Sequence, residues 1–217
     1  MSATEALHIL QARGAELSLI LTGAQQLRER FLGPTVETCS IINAKSGHCA
    51  EDCAFCAQSA HHRSQVPVYP LRPSEELVAG ARAAVADGCS CFGIVTSGTR
   101  IEPGSEFERL LQAIRTIRST TGMAPSASLG ILDKTMAQAL AEAGCATYHH
   151  NLETARSFFP HICSTHDYEE DLETIRVAKR AGLKVCSGGI IGLGESLEQR
   201  VELAMTLREL EVDSVPL

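Results

Sequence analysis

The feature that most constrains this chain is a unit that recurs along it: an amphipathic helix closed near a glycine, then a short run of β-formers. Ser74-Glu75-Glu76-Leu77 opens a helix to about Asp87, Gly88 caps it, and Cys91-Phe92-Gly93-Ile94-Val95-Thr96 follows as a strand. The unit returns as a helix from about Ser105 to Thr120 with a strand near Ala127-Ser128-Leu129, then a helix from Asp133 to Ala143, ended by Gly144, with a strand over Thr147–Leu152. Helices over Tyr168–Ala181 and Leu197–Leu210 precede strands over Leu183–Cys186 and Asp213–Leu217, and Thr38–Asn43 reads as the first strand of all. Strands separated by helices that cross back over the sheet pair in parallel, so the fold class is α/β.

An open doubly wound sheet and a (β/α) barrel both fit that alternation. Polar or sulfur-bearing residues fall near the C-terminal ends of nearly every strand: a cysteine loop after the first, Thr96-Ser97 after the second, Asn151 and Glu153 after the fourth, Cys186 to Glu195 after the fifth. A barrel gathers all of these ends on one face, whereas an open sheet gathers only those at its switch point. The expectation is therefore a TIM-type (β/α) barrel of about six βα units. Eight strands do not fit in the sequence, which makes it a partial barrel or a truncated sequence. Residues 3–31 read as helical, with Leu7, Leu10, Leu17, Ile20 and Leu21 at helical spacing before Gly33-Pro34. This divides the chain into an N-terminal helical extension over 1–35 and the barrel core over 36–217.

Chemistry enters with Cys49-Ala-Glu-Asp-Cys53-Ala-Phe-Cys56, three thiols in a Cys-x3-Cys-x2-Cys array. Three thiolates can hold three irons of a cubane cluster, leaving one iron without a protein ligand and open to a small molecule. Zinc is the alternative at this loop, with His48, His61 or His62 as a fourth ligand. Nine cysteines in a chain of 217 residues, three of them at cluster spacing, suit a reducing cytoplasm better than a disulfide scaffold. The N-terminus resembles neither a signal nor a transit peptide, and no apolar run is long enough to span a bilayer. A net charge of -7 without a basic stripe argues against nucleic acid as a partner.

Three segments together resemble the radical S-adenosylmethionine superfamily, most closely its biotin synthase branch: Ser46-Gly-His-Cys49 through Ser59, Tyr148-His-His-Asn151-Leu-Glu153-Thr, and Val185-Cys186-Ser-Gly-Gly-Ile-Ile-Gly-Leu-Gly194-Glu195. The resemblance implies a 4Fe-4S cluster on Cys49, Cys53 and Cys56, with S-adenosyl-L-methionine chelated to its free iron. It also implies radical insertion of sulfur into dethiobiotin, an electron donor such as flavodoxin or ferredoxin, and a homodimer. It places Phe55 near the adenine and Asn151 and Glu153 at the ribose. Gly188 and Gly189 would let backbone approach the ligand.

The resemblance breaks at the second, sulfur-donating cluster. The family's third-strand cysteine falls on Ser126 and its second-strand cysteine on Gly93, while Cys186 matches the fifth-strand ligand. Cys91, on the same strand face as Gly93, and Cys163 are the other candidate thiols, so an auxiliary iron-sulfur cluster would use Cys186 with Cys91 or Cys163. Cys39, Cys89 and Cys145 read as buried apolar side chains. His149 and His150 face opposite sides of their strand, and Glu169, Glu170, Asp171 and Glu173 read as an exposed helix face.

Overall fold

The computed structural model describes residues 1–217, and several of its helices start or stop where local chemistry satisfies free backbone groups. In chain order the elements are α1 (Ala3–Gln11), α2 (Gly14–Leu32), β1 (Cys39–Lys45), α3 (Ser74–Ala86), β2 (Cys91–Thr96), α4 (Ser105–Thr121), β3 (Ser126–Ser128), α5 (Lys134–Ala143), β4 (Thr147–His149), α6 (Tyr168–Arg180), β5 (Lys184–Cys186) and α7 (Leu197–Glu209), with a 3-10 turn at Phe159–His161. The Asp133 carboxylate accepts from Met136 N at 2.8 Å to start α5, and reciprocal capping boxes start α6 at Asp167 and Glu170 and α7 at Ser196 and Gln199. Gly122 and Gly144 take left-handed conformations that end α4 and α5.

The five strands pair in parallel in the order β1-β2-β3-β4-β5. Consecutive strands joined by right-handed crossovers carry all their helices on one face, and α3, α4, α5 and α6 pack neighbour against neighbour in that sequence. A doubly wound sheet would reverse its strand order at a switch point, and none occurs. The architecture is an arc of a (β/α) barrel.

Alternation along the strands separates two chemistries. Phe92, Ile94, Ala127, Tyr148 and Val185 point toward the helices and are almost wholly buried. The concave face mixes small, polar and sulfur side chains with Ile41 and Val95; on it Cys39 lies opposite Cys91 and Gly93 opposite Ser126. Hydrophobic burial therefore fixes the sheet from its convex side and leaves the concave side free for chemistry.

Local details differ from the sequence reading. The N-terminal helix is two helices, because Arg13 is extended and Gly14 has a φ of 56°. Here α1 packs against α7, whereas α2 buries none of its residues. The sixth strand is reduced to an isolated parallel bridge between Cys186 and Ser214, with Ser187 N donating to Ser214 O at 3.0 Å and Gly189 N to Pro216 O at 3.3 Å. Pro216 has no N–H to extend that ladder. Regular strand β4 stops at His149, yet pairing with the β5 side continues, His150 N donating to Cys186 O and Leu152 N to Gly188 O, each at 3.0 Å, as far as a left-handed Glu153 with a φ of 62°.

Candidate functional site

The C-terminal strand ends surround a cavity of about 650 Å³, and its wall brings together Cys49, Cys53, Phe55 and Cys56 from the loop after β1 with Asn151 and Glu153 from the segment after β4. Delivery of the cysteine loop begins with Gly47 and His48, both at positive φ, which turn the chain out of β1. A side chain at position 47 would meet Val68 Cγ2 at 2.6 Å, so glycine is required there for space as well as conformation. Gln58 Oε1 accepts from Gly47 N and Ser46 Oγ, while Cys49 N donates to Gln58 O at 3.0 Å and Ala60 N to Cys49 O at 2.8 Å. Buried Cys49 and half-buried Cys53 and Cys56 are thereby held in a closed loop.

The three thiols do not all lie within 4.8 Å of one another, too wide for a single zinc ion with sulfur at about 2.3 Å. His61 Nε2 donates to Ala50 O at 3.0 Å and His62 Nε2 to Cys53 O at 2.9 Å, and His48 is exposed. None of these rings is in a mutual ligand set with the thiols. The zinc alternative built on them does not fit; a wide three-cornered thiolate set suits a cubane.

Glu51, inside the cysteine loop, is the hub that orients it. Its carboxylate accepts from Thr99 in the β2 loop and from Thr165, and from His166 Nδ1 at 2.7 Å. Burial pushes this carboxyl up, but the three hydrogen bonds outweigh it and hold the group below its ordinary value. His166 Nε2 donates to Asp171 Oδ2 at 3.2 Å, and His150 Nε2 to Asp171 Oδ1 at 2.8 Å. The Asp171 hydrogen bond, against the opposing effect of burial, raises the His166 pKa to about 10, so an imidazolium bridges two carboxylates at neutral pH. Next to Glu51, Asp52 accepts from Ser164 N at 2.8 Å, and Ala54 N donates to Ile162 O at 2.8 Å. The cysteine loop is thus tied to the segment after the 3-10 turn.

Asp171 corrects the reading of its acidic run: Glu169, Glu170 and Glu173 face solvent, while Asp171 is 4% exposed and points into the cavity wall. Sequence reasoning missed Glu51, His166, Asp171 and His150; the one signal at hand was a glutamate within the cysteine array. Cys39 is exposed on the concave face rather than buried, Cys89 is half-buried and Cys145 is buried.

Asn151 and Glu153 line the cavity where the ladder ends. Asn151 Oδ1 accepts from Gly188 N at 3.2 Å, and Glu153 Oε2 is shielded from solvent without a hydrogen-bond partner. Desolvation raises the Glu153 pKa to about 7, despite a hydrogen bond with Asn151. A buried carboxylate oxygen without a partner, on a left-handed backbone, marks a position kept for a ligand. Thr96 Oγ1, on the same cavity, is likewise buried and unpartnered.

Gly188 and Gly189 serve differently from the sequence reading. A Cβ at Gly188 would lie 1.9 Å from Pro216 O, and one at Gly189 would lie 2.5 Å from Glu153 O. The close approach is to the chain's own backbone, and neither glycine lines the cavity. The candidate auxiliary thiols also separate. Cys163 Sγ sits 3.8 Å from Cys53 Sγ, with the first loop. Cys91 Sγ is 3.9 Å from Ser126 Oγ, and the Cys91 thiol is close enough to help raise the Cys186 pKa, after the larger effect of burial. Gly93 is tightly flanked: a Cβ there would meet Ile41 Cγ2 at 3.0 Å and Ser126 Oγ at 3.2 Å, so a side chain would require both neighbours to shift.

Residues 44–207 match the radical SAM superfamily. The chain belongs to that superfamily. Among curated relatives, a biotin synthase of Syntrophotalea carbinolica is 62% identical over all 217 residues, which span 66% of that relative, and one of Geobacter metallireducens is 59% identical over the same span. This radical SAM chain thus covers just under two thirds of the length of those relatives. Among solved structures, methylornithine synthase superposes with a TM-score of 0.86 at 18% identity over 99% of this chain and 63% of its own. The hydrogenase maturase HydG of Carboxydothermus hydrogenoformans gives 0.81 at 19% identity over 97% of this chain and 50% of its own. At such identities the likeness is one of fold, and it agrees with the barrel arc. No helix is long and apolar enough to cross a membrane.

Proposed function

We propose that this chain carries the radical-generating site of a biotin synthase, which inserts sulfur into dethiobiotin. The observation that carries the reading is the 62% identity over all 217 residues to a biotin synthase, coupled to three thiols that face one cavity. Cys49, Cys53 and Cys56 would hold the 4Fe-4S cluster. When bound, that cluster supplies the electron that cleaves S-adenosyl-L-methionine to a hydrogen-abstracting 5'-deoxyadenosyl radical.

The chain's own part is to bind, orient and keep water out. Glu153 and Asn151 would take the ribose hydroxyls, with the unpartnered Glu153 Oε2 as acceptor. Phe55, half-buried on the cavity wall, would lie against the adenine. Glu51, Thr99, Thr165 and His166 would fix the cysteine loop against the rim. Cys186 with Cys91 would hold the auxiliary iron-sulfur cluster as sulfur source, because these two thiols are near enough to influence each other and Cys163 stands with the other loop. A flavodoxin or ferredoxin as reductant, a homodimer and a cytoplasmic setting complete the reading; nine free cysteines support the last.

Gly93 and Ser126, in place of two auxiliary ligands, favour a second reading, a radical SAM enzyme of the same branch that inserts no sulfur. Anaerobic reconstitution with iron and sulfide, then assay of 5'-deoxyadenosine and biotin from adenosylmethionine and dethiobiotin, separates the two. Both products are expected, and Cys186→Ala should lose biotin while retaining deoxyadenosine. Deoxyadenosine without biotin from the wild type would favour the second reading, and neither product would overturn both.

A further inference from the structure

Beside the three-thiol loop stands a second donor set that the radical chemistry does not use. Cys163 Sγ, His166 Nδ1 and Glu51 Oε2 all lie within 4.8 Å of one another. The sulfur is 3.3 Å from the imidazole nitrogen and 3.9 Å from the carboxylate oxygen, and those two are 2.7 Å apart. Cys53 Sγ stands 3.8 Å from Cys163 Sγ. Two sulfurs bound at about 2.3 Å to one tetrahedral ion are about 3.8 Å apart, and sulfur and imidazole nitrogen about 3.5 Å. Both thiol separations already match.

The surrounding contacts are those of a metal site rather than of a plain ion-pair hub. Asp171 holds His166 by Nε2 at 3.2 Å and is itself held by His150 at 2.8 Å, which aims Nδ1 at the thiol. Such a carboxylate behind a histidine fixes its ring and raises its basicity toward a metal. Thr99 donates to Oε1 of Glu51, while Oε2 faces the sulfur and accepts from Thr165 and His166 as well, so an ion would take the place of those donors on it. A hub of carboxylates and imidazoles needs no sulfur, yet Cys163 stands within this one, and Cys53, outside the mutual 4.8 Å set, would turn in from beside Cys163 as the ion binds. Cys163 is also 4% exposed, so nothing in solvent competes for it.

We propose that Cys163, His166 and Glu51, closed by Cys53, form a mononuclear site for a divalent ion of the zinc class, and that its occupation excludes the cluster. The competition follows from Cys53, which cannot close this site and also serve as a corner of the neighbouring cubane; only that clause rests on the cluster reading. Binding would displace the protons of two thiols and of Nδ1. Iron loading would then have to displace the ion.

Cobalt(II) titration of the full chain, stripped of iron anaerobically with a chelator, tests the site by a readout independent of activity. One equivalent should bind with intense tetrahedral d–d bands and thiolate charge-transfer bands. Cys163→Ser and His166→Gln should each weaken binding by about tenfold or more. Cys49→Ala and Cys56→Ala should bind as the wild type does, and circular dichroism identifies any variant that has lost its fold. Preloading with zinc should slow cluster assembly in the wild type but not in Cys163→Ser. Cobalt binding that survives Cys163→Ser yet disappears in Cys49→Ala or Cys56→Ala would put the ion on the cysteine loop and overturn the proposal, as would an octahedral spectrum without sulfur bands. Cobalt binding with the expected bands, but no cluster under any condition, would instead remove the cluster reading and leave this site standing.

Discussion

Glu153 concentrates at one residue what the cavity needs. Its carboxyl pKa is raised to about 7 by desolvation, against an ordinary 4.5, so the folded chain favours the neutral form. The unfolded chain ionises first as pH rises, hence the stabilisation tied to this group is full below about pH 4.5 and disappears as pH passes about 7. Glu153→Gln removes the titration. Urea unfolding of both proteins between about pH 5 and pH 8 should show the wild type losing on the order of 3 kcal/mol relative to the variant. Parallel profiles would mean that Glu153 is solvated. The left-handed backbone at this residue adds a cost of about 1 kcal/mol or more, which the hydrogen bonds to residues 188 and 190 offset.

Among the elements, β5 shows how a strand of only three residues is held. It pairs with β4 on one side, while its continuation, Ser187 to Gly189, accepts residues 214–216 on the other. Gly188 permits that second pairing, since any side chain would enter the Pro216 carbonyl. Gly188→Ala should therefore detach residues 214–216 and cost about 2 kcal/mol or more in chemical denaturation, with greater protease sensitivity of the last residues. A change within about 0.5 kcal/mol would show that the segment contributes nothing to the edge. The same element explains why glycine was misread from sequence. A Gly-Gly pair after a strand signals close approach, but sequence does not say whether a ligand or another stretch of the chain makes it.

Across the whole molecule, burial is graded from the centre of the sheet outward. Ile94, Ala127 and Tyr148, on the three central strands, are at most 1% exposed, while α2 has no buried residue. Amide exchange should be slowest at those central strands and fastest, among the helices, over residues 14–32; comparable protection of α2 would mean that another surface covers it. The alternation and the parallel sheet were legible because periodicity and capping glycines are local signals. The break at Arg13 and the stunted edge at Pro216 were not read, although each rests on one residue's backbone preference. Cys49, Cys53, Cys56, Phe55, Asn151 and Glu153 were legible as motifs and do share one cavity. Asp171 was hidden in an acidic run, where helical geometry turns one carboxylate of four inward, and His166 has meaning only beside a loop more than a hundred residues away.

That separation sets a timetable for biosynthesis. Glu51 takes one partner 48 residues downstream and two more at 114 and 115 residues. At about 5–20 residues per second, a ribosome needs roughly 6–23 s after the cysteine loop is made to supply Thr165 and His166. Throughout that interval three reactive thiols emerge without the rim that orients them, so delivery of iron and sulfide is best timed after translation has passed α6, and the nascent loop is the stage at which oxidants do the most harm.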